Sequence, residues 1–158
     1  MRRLVPFVAV GLAAAAVSAS VDPSVDVGAQ AKGAARVVVA TVTDVQSAPG
    51  KNEFGDELIL SHVTLRVDET LKGPQTPTVV MTLEGGSVGD VTLEVSDMPS
   101  LEKGQRAALF ISPSRGASHI PYGRGAGVMK LDGDRVVDTN LTLGDIRAAV
   151  KAAQGQER

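Results

Sequence analysis

Along Leu58–Gly73 (LILSHVTLRVDETLKG) apolar and polar positions alternate. Ile59, Val63, Leu65 and Val67 fall on one parity; Leu60, His62, Thr64, Arg66 and Asp68 fall on the other. Side chains along a strand point to opposite faces in turn, so the pattern predicts a half-buried β-strand. Its odd positions should be core, and His62, Thr64, Arg66 and Asp68 should face solvent or a rim. The run is long for a strand, which predicts bending across a small barrel. Gly73 and Pro74 stop it.

The rest of the chain is arranged around that strand. Arg36–Gln46 carries Val38, Ala40 and Val42 on one face and Val37, Val39 and Val45 on the other. Apolar residues on both faces predict a central strand. Pro49–Glu57 reads as a polar loop, and Gly73–Pro77 as a short turn. Thr78–Glu84 is a third strand with Val79, Met81 and Leu83 inward, broken by Gly85-Gly86. Val91, Leu93 and Val95 alternate with Thr92, Glu94 and Ser96, a fourth short strand. Gly85–Asp90 fits either a hairpin loop or a bulged bend in one continuous strand.

Met98–Gln105 is a turn region, Arg106–Ser112 an apolar strand, and Pro113–Gly127 the longest loop. Val128–Leu131 and Arg135–Val137 flank Asp132-Gly133, a two-residue hairpin signal. The period then changes. Leu143, Ile146, Val150 and Ala153 recur at helical spacing behind Thr142 and Asp145, which together form a capping-box variant. An amphipathic helix over Leu143–Ala153 is expected, with a frayed tail after it. Ser20–Ala34 has no periodicity and reads as a flexible linker.

The expectation is mainly β: a small OB-like barrel of five to seven strands with one C-terminal amphipathic α-helix. The barrel would span 35–140 and the helix and tail 141–158. Residues 1–19 have the three parts of a secretory signal peptide. Arg2 and Arg3 are followed by the apolar run Leu4–Val17, and Val17-Ser18-Ala19 offers small residues at the exit. Cleavage is expected after Ala19. Ala29-Gln30-Ala31 is a second candidate with a longer, more polar approach. An uncleaved anchor over Leu4–Val21 is the alternative, at the short limit for crossing a bilayer. The expected location is secreted or periplasmic.

Composition narrows the chemistry. Hydrophobic residues are 43% of the chain and aromatics only 3%, so the core must be aliphatic. The net charge is −2, and removal of Arg2 and Arg3 with no acid would leave −4. The absence of a basic excess argues against nucleic acid or anionic membrane as partner. There is no cysteine, which excludes disulfides, thiol catalysis and cysteine zinc sites.

The landmarks also have a familiar order. A valine-rich opening strand precedes Leu71-Lys72-Gly73, then Gly85-Gly86, Met98-Pro99, Gly104-Gln105-Arg106 leading into Leu109-Phe110, and a glycine-bearing strand at Gly125–Val128. This resembles exported bacterial domains with the netrin/tissue-inhibitor-of-metalloproteinase version of the OB-fold, over about Ala35–Asp138. The resemblance implies architecture and assigns no site. Those inhibitors bind protease zinc through an N-terminal cysteine, and no residue here can take that role.

Each candidate site competes with a structural role. His62 on the polar face of its strand could be a base or metal ligand, but a solvent-facing cross-strand role is expected. His119 sits in the long Gly/Ser-containing loop. Asp132, Asp134 and Asp138 lack the calcium-loop pattern. Gly123-Arg124-Gly125-Ala126-Gly127 does not follow a strand and open a helix, so it reads as a flexible rim loop, not a phosphate cradle. Ser61, Ser87, Ser112 and Ser114 stand in no nucleophile motif. Phe54, Phe110 and Tyr122 are too scattered for stacking on single-stranded nucleic acid.

The expectation is thus an exported, non-enzymatic binding module with no catalytic, metal or cofactor residues, acting on a protein or extracellular ligand. Loops on a rigid scaffold concentrate binding residues. The candidate rim is Lys51, Asn52, Phe54, Ser87, Asp90, His119, Tyr122 and Arg124, drawn from Pro49–Glu57, Gly85–Asp90 and Pro113–Gly127. An inhibitor or accessory domain of an exported protease, and a small hydrolase, are the alternatives.

Overall fold

The first strand, β1 (Arg36–Lys51), buries both faces at its N-terminal end, and this divides the interior in two. Val38, Ala40 and Val42 point into one cluster with Val63, Leu65, Met81, Leu109 and Ile111. Val37 and Val39 point into another with Phe110, Met129, Leu143 and Ile146. The computed structural model describes residues 25–113 and 119–156; the expected signal peptide lies outside them. Among the described residues no helix is long and apolar enough to cross a membrane.

The protein is mainly β. β2 (Glu57–Lys72) pairs antiparallel with β1 from Val37↔Lys72 to Lys51↔Glu57. β3 (Thr78–Glu84) pairs with the other edge of β2. β4 (Gly86–Val88) and β5 (Val91–Leu93) form a separate hairpin, so Gly85–Asp90 is neither pure loop nor continuous strand. β6 (Arg106–Ile111), β7 (Val128–Asp132) and β8 (Arg135–Val136) complete a six-stranded antiparallel sheet, ordered β3-β2-β1-β6-β7-β8.

The alternation in β2 is as expected at its centre. Val63 and Leu65 are fully buried, and His62, Arg66 and Asp68 are exposed. Val67 and Ile59 are only half-buried, and Leu60, expected on the polar face, is buried. In β1 the two-residue repeat fails at Thr43. Val42 pairs with Leu65 but Asp44 with Thr64, so one residue is extra on β1. Such a bulge reverses facing beyond it. Val45 therefore packs with Val42 on the inner cluster, not on the Val37/Val39 face. The last hairpin also shifts by one residue. Asp132 and Arg135 pair, so Gly133 (φ 59) and Asp134 make the turn.

From His119 onward the expected long loop is laid against two strands. Ser112 N–H donates to Ile120 O (3.0 Å) and Tyr122 N–H to Phe110 O (2.7 Å). His119 N–H donates to Val80 O (3.2 Å), and Thr82 N–H to His119 O (2.7 Å). One short stretch therefore bridges the edge of β3 to β6.

Two helices cover the second cluster. α2 (Leu143–Gly155) begins at the expected capping box: Asp145 N–H donates to Thr142 Oγ1 (3.2 Å) and Thr142 N–H to Asp145 Oδ2 (2.8 Å). Its Leu143, Ile146, Val150 and Ala153 are buried. The second helix corrects the expected linker. α1 (Val27–Gly33) is capped by Asp26, whose carboxylate accepts from Ala29 N–H, and it buries Val27 and Ala31. Lys72 Nζ donates to the Ala31 carbonyl (3.0 Å) at its C-terminal end. The segment Val27–Ala34 is thus part of the folded core. Ala31→Asp should cost roughly 3 kcal/mol or more in a urea melt, because it buries an unpaired carboxylate. Tolerance of that change would return the segment to the status of a linker.

Candidate functional site

Leu60, His62, Thr82 and Glu84 share one face of the β2–β3 pair, since Leu60↔Glu84 and His62↔Thr82 are cross-strand partners. Over them lies a cleft of about 280 Å³. Leu60, Met98, Ile120 and Pro121 make it apolar; Lys51, Asn52, Glu53 and Arg124 contribute its polar lining. The burial of Leu60 has its cause here. The β1–β2 turn and the stretch after His119 cover the end of a face that farther along β2 meets water.

The rim is braced by side chains that come from distant parts of the chain. Asn52 Oδ1 accepts from Phe54 N–H (3.0 Å) and Asp56 N–H (2.9 Å), which fixes the five-residue turn between β1 and β2. Asn52 Nδ2 donates to Glu84 Oε1 (3.0 Å). The other Glu84 oxygen accepts from Arg124 Nη2 (2.7 Å). Arg124 Nε donates to Asp97, and Nη2 also reaches Asp97 Oδ1 (3.1 Å). One guanidinium thus ties β3, the segment before Met98 and the glycine-rich stretch. Charge-assisted bonds of this fork are stronger than neutral ones.

The backbone at Arg124 is built for that grip. Gly123 and Arg124 both take left-handed conformations (φ 71 and 58), and a 3₁₀ turn follows over Arg124–Gly127. A Cβ on Gly125 would lie 2.0 Å from the Asp97 carbonyl oxygen, so no larger residue fits without movement. The glycines permit close approach, and Arg124 then fixes the loop. This corrects the expectation of a flexible rim.

The ionisation states follow from the fork. The Arg124 guanidinium holds the Glu84 carboxyl below its ordinary range; partial burial opposes this, and the Asn52 amide assists. Asp97 is lowered chiefly by the same guanidinium, and Arg124 is raised by both acids. His62 Nδ1 lies 3.1 Å from Thr82 Oγ1.

The expected rim residues do not all converge. Lys51, Asn52 and Arg124 meet at the cleft. Phe54 sits at the neighbouring turn with its ring 71% exposed. Ser87 lies on the β4–β5 hairpin, bonded to Thr92 (2.8 Å), beside a separate hydroxyl-lined hollow that includes Ser47 and Ser61. Asp90 is in that hairpin's exposed turn. His119 is half-buried against the β3 edge, opposite Met81, with a buried Nδ1 that has no partner among the described residues. Tyr122 is half-buried against the helical cluster, and its ring occupies the space beside Gly33. Neither lines the cleft. Ser114 lies outside the described residues.

Leu60, His62, Glu84, Asp97 and Met98 complete the site and were not among the expected rim residues. The stretch Asn52-Glu53-Phe54-Gly55-Asp56 carried a readable signal for the Asn52-braced turn. Nothing local announces that Arg124 will pair with acids 27 and 40 residues away. No protein-family model matches the chain, and a search among curated proteins found no match.

The fork makes the rim acid-sensitive, with a definite sign. Glu84 and Asp97 have folded-state pKa values below their unfolded ones. Their stabilising effect is therefore full above the ordinary carboxylate range, near pH 4, and is lost as pH falls through the depressed values. In Arg124→Met, carbon-detected NMR titration should find the Glu84 carboxyl displaced upward toward its ordinary value of about 4.3. An unchanged titration would mean that the fork does not form.

Proposed function

We propose that this chain is an exported, non-enzymatic binding module of OB-like design whose ligand or partner seats in the cleft over Leu60. An apolar concavity with a few placed polar groups is the usual form of a recognition site. About 280 Å³ lies just below the usual range of roughly 300–1,000 Å³, so a small molecule or a single side chain of a partner would fill it. Export is supported by Arg2, Arg3, the apolar run Leu4–Val17 and the small residues at Val17-Ser18-Ala19. The landmark order from Leu71-Lys72-Gly73 to Gly125–Val128 supports the barrel.

The observation that carries this reading is the bracing of the rim by Arg124 and Asn52. Groups fixed before a ligand arrives lose less conformational entropy on binding. A rim this constrained is suited to recognition, whereas a loop that merely connects two strands needs no such fixing.

His62→Trp tests the idea, because it fills the cleft from an exposed strand position without entering either core. Wild-type chain recovered from the native exported fraction should carry a bound molecule or partner that mass spectrometry detects. His62→Trp, with an unchanged thermal melt, should lose it. Equal recovery by both proteins would put binding elsewhere.

A further inference from the structure

The cleft's charge is unbalanced in one direction. Its lining cations each face acids: Arg124 holds both Glu84 and Asp97, and the exposed Lys51 lies 3.6 Å from the exposed Glu57. Its lining acid Glu53 has no ion-pair partner among the described residues. The four lining charges, Lys51, Arg124, Glu53 and Glu84, cancel, and the additional carboxylates Glu57 and Asp97 leave a net charge of −2 around an apolar floor. Each Glu84 oxygen accepts only one hydrogen bond from the described residues, and a carboxylate oxygen can accept more. Glu53 and Glu84 therefore leave unused acceptor capacity and negative charge at the site.

We infer that the cleft takes an aliphatic cation: an apolar stem lying on Leu60, Met98 and Ile120, ending in an ammonium or guanidinium group directed to Glu53 and Glu84. Long cationic side chains bury their stems on apolar surface while the head stays polar. The same chemistry can come from a small amine or from a lysine or arginine side chain of a polypeptide. The inference rests on the cleft being the binding site, as proposed above.

Amide shifts in the ¹⁵N-labelled chain, titrated with pentylammonium, pentanoate and pentanol, test it. Pentylammonium should move the His62, Glu84 and Arg124 amides with a Kd about tenfold or more below that of pentanoate. Its affinity should fall with added salt, because exposed charge interactions are screened. Glu53→Gln, a change at an exposed position, should weaken it about threefold, the scale of one exposed ion pair. Acetyl-lysine amide moving the same amides would assign the site to polypeptide side chains; its failure beside a binding pentylammonium would assign it to small amines. Pentanoate binding as well as or better than pentylammonium would overturn the ligand class and leave the cleft as a binding site. No shift at those amides with any probe would remove both.

Discussion

A single strand with no free face imposes most of this architecture. At its N-terminal end β1 sends alternate valines into different clusters, so it must be covered on both sides. Residues of β2, β3 and β6 with Leu101 complete the cluster on one side, and α1 with α2 covers the other. Burying a valine side chain contributes about 1.5–3 kcal/mol. Four fully buried valines within Val37–Val42, two to a cluster, therefore commit both layers at once. The aromatic-poor composition fits this arrangement: many small β-branched side chains fill two thin cores where a few rings would fill one thick one.

The bulge at Thr43 marks the limit of that regime. Before it β1 is buried on both faces; beyond it exposed and half-buried positions take over. The same β1–β2 ribbon then continues, joined by β3 as far as Leu60↔Glu84, as an arm ending in the Asn52 turn. The cleft sits where this arm meets the stretch bridging β3 to β6. Its floor is thus anchored to the sheet, and its rim is fixed by ionic and amide hydrogen bonds, not by packing.

Local periodic signals were legible in the sequence. Strand Thr78–Glu84 and the start of α2 were readable because alternation, a glycine pair and a capping box act over a few residues. α1 was not, because VGAQAKG carries one valine and small residues, and its helical spacing of Val27 and Ala31 spans a single repeat. Its stability comes from tertiary burial, which short helices depend on. The facing of Val45 was misread because a bulge leaves no trace in residue type. Of the site, Asn52 and Arg124 were legible as polar loop residues; Lys51, expected in the loop Pro49–Glu57, instead ends β1, which runs on through Pro49–Lys51. Glu84 and Asp97 were not legible, since each looks like an ordinary solvated acid until the fold brings Arg124 to it. Tyr122 and His119 lie away from the cleft for the converse reason: a loop composition concealed a stretch laid between two strands.

Arg124 binds separate segments into one preformed rim. Native-state hydrogen exchange of wild type and Arg124→Met tests this most directly, because it reports local opening segment by segment. Exchange at Asp97, Met98 and Ile120–Gly125 should accelerate together in the variant, while protection of Val38–Val42 stays unchanged. Unaltered exchange at both rim segments, or acceleration of only one, would contradict the claim.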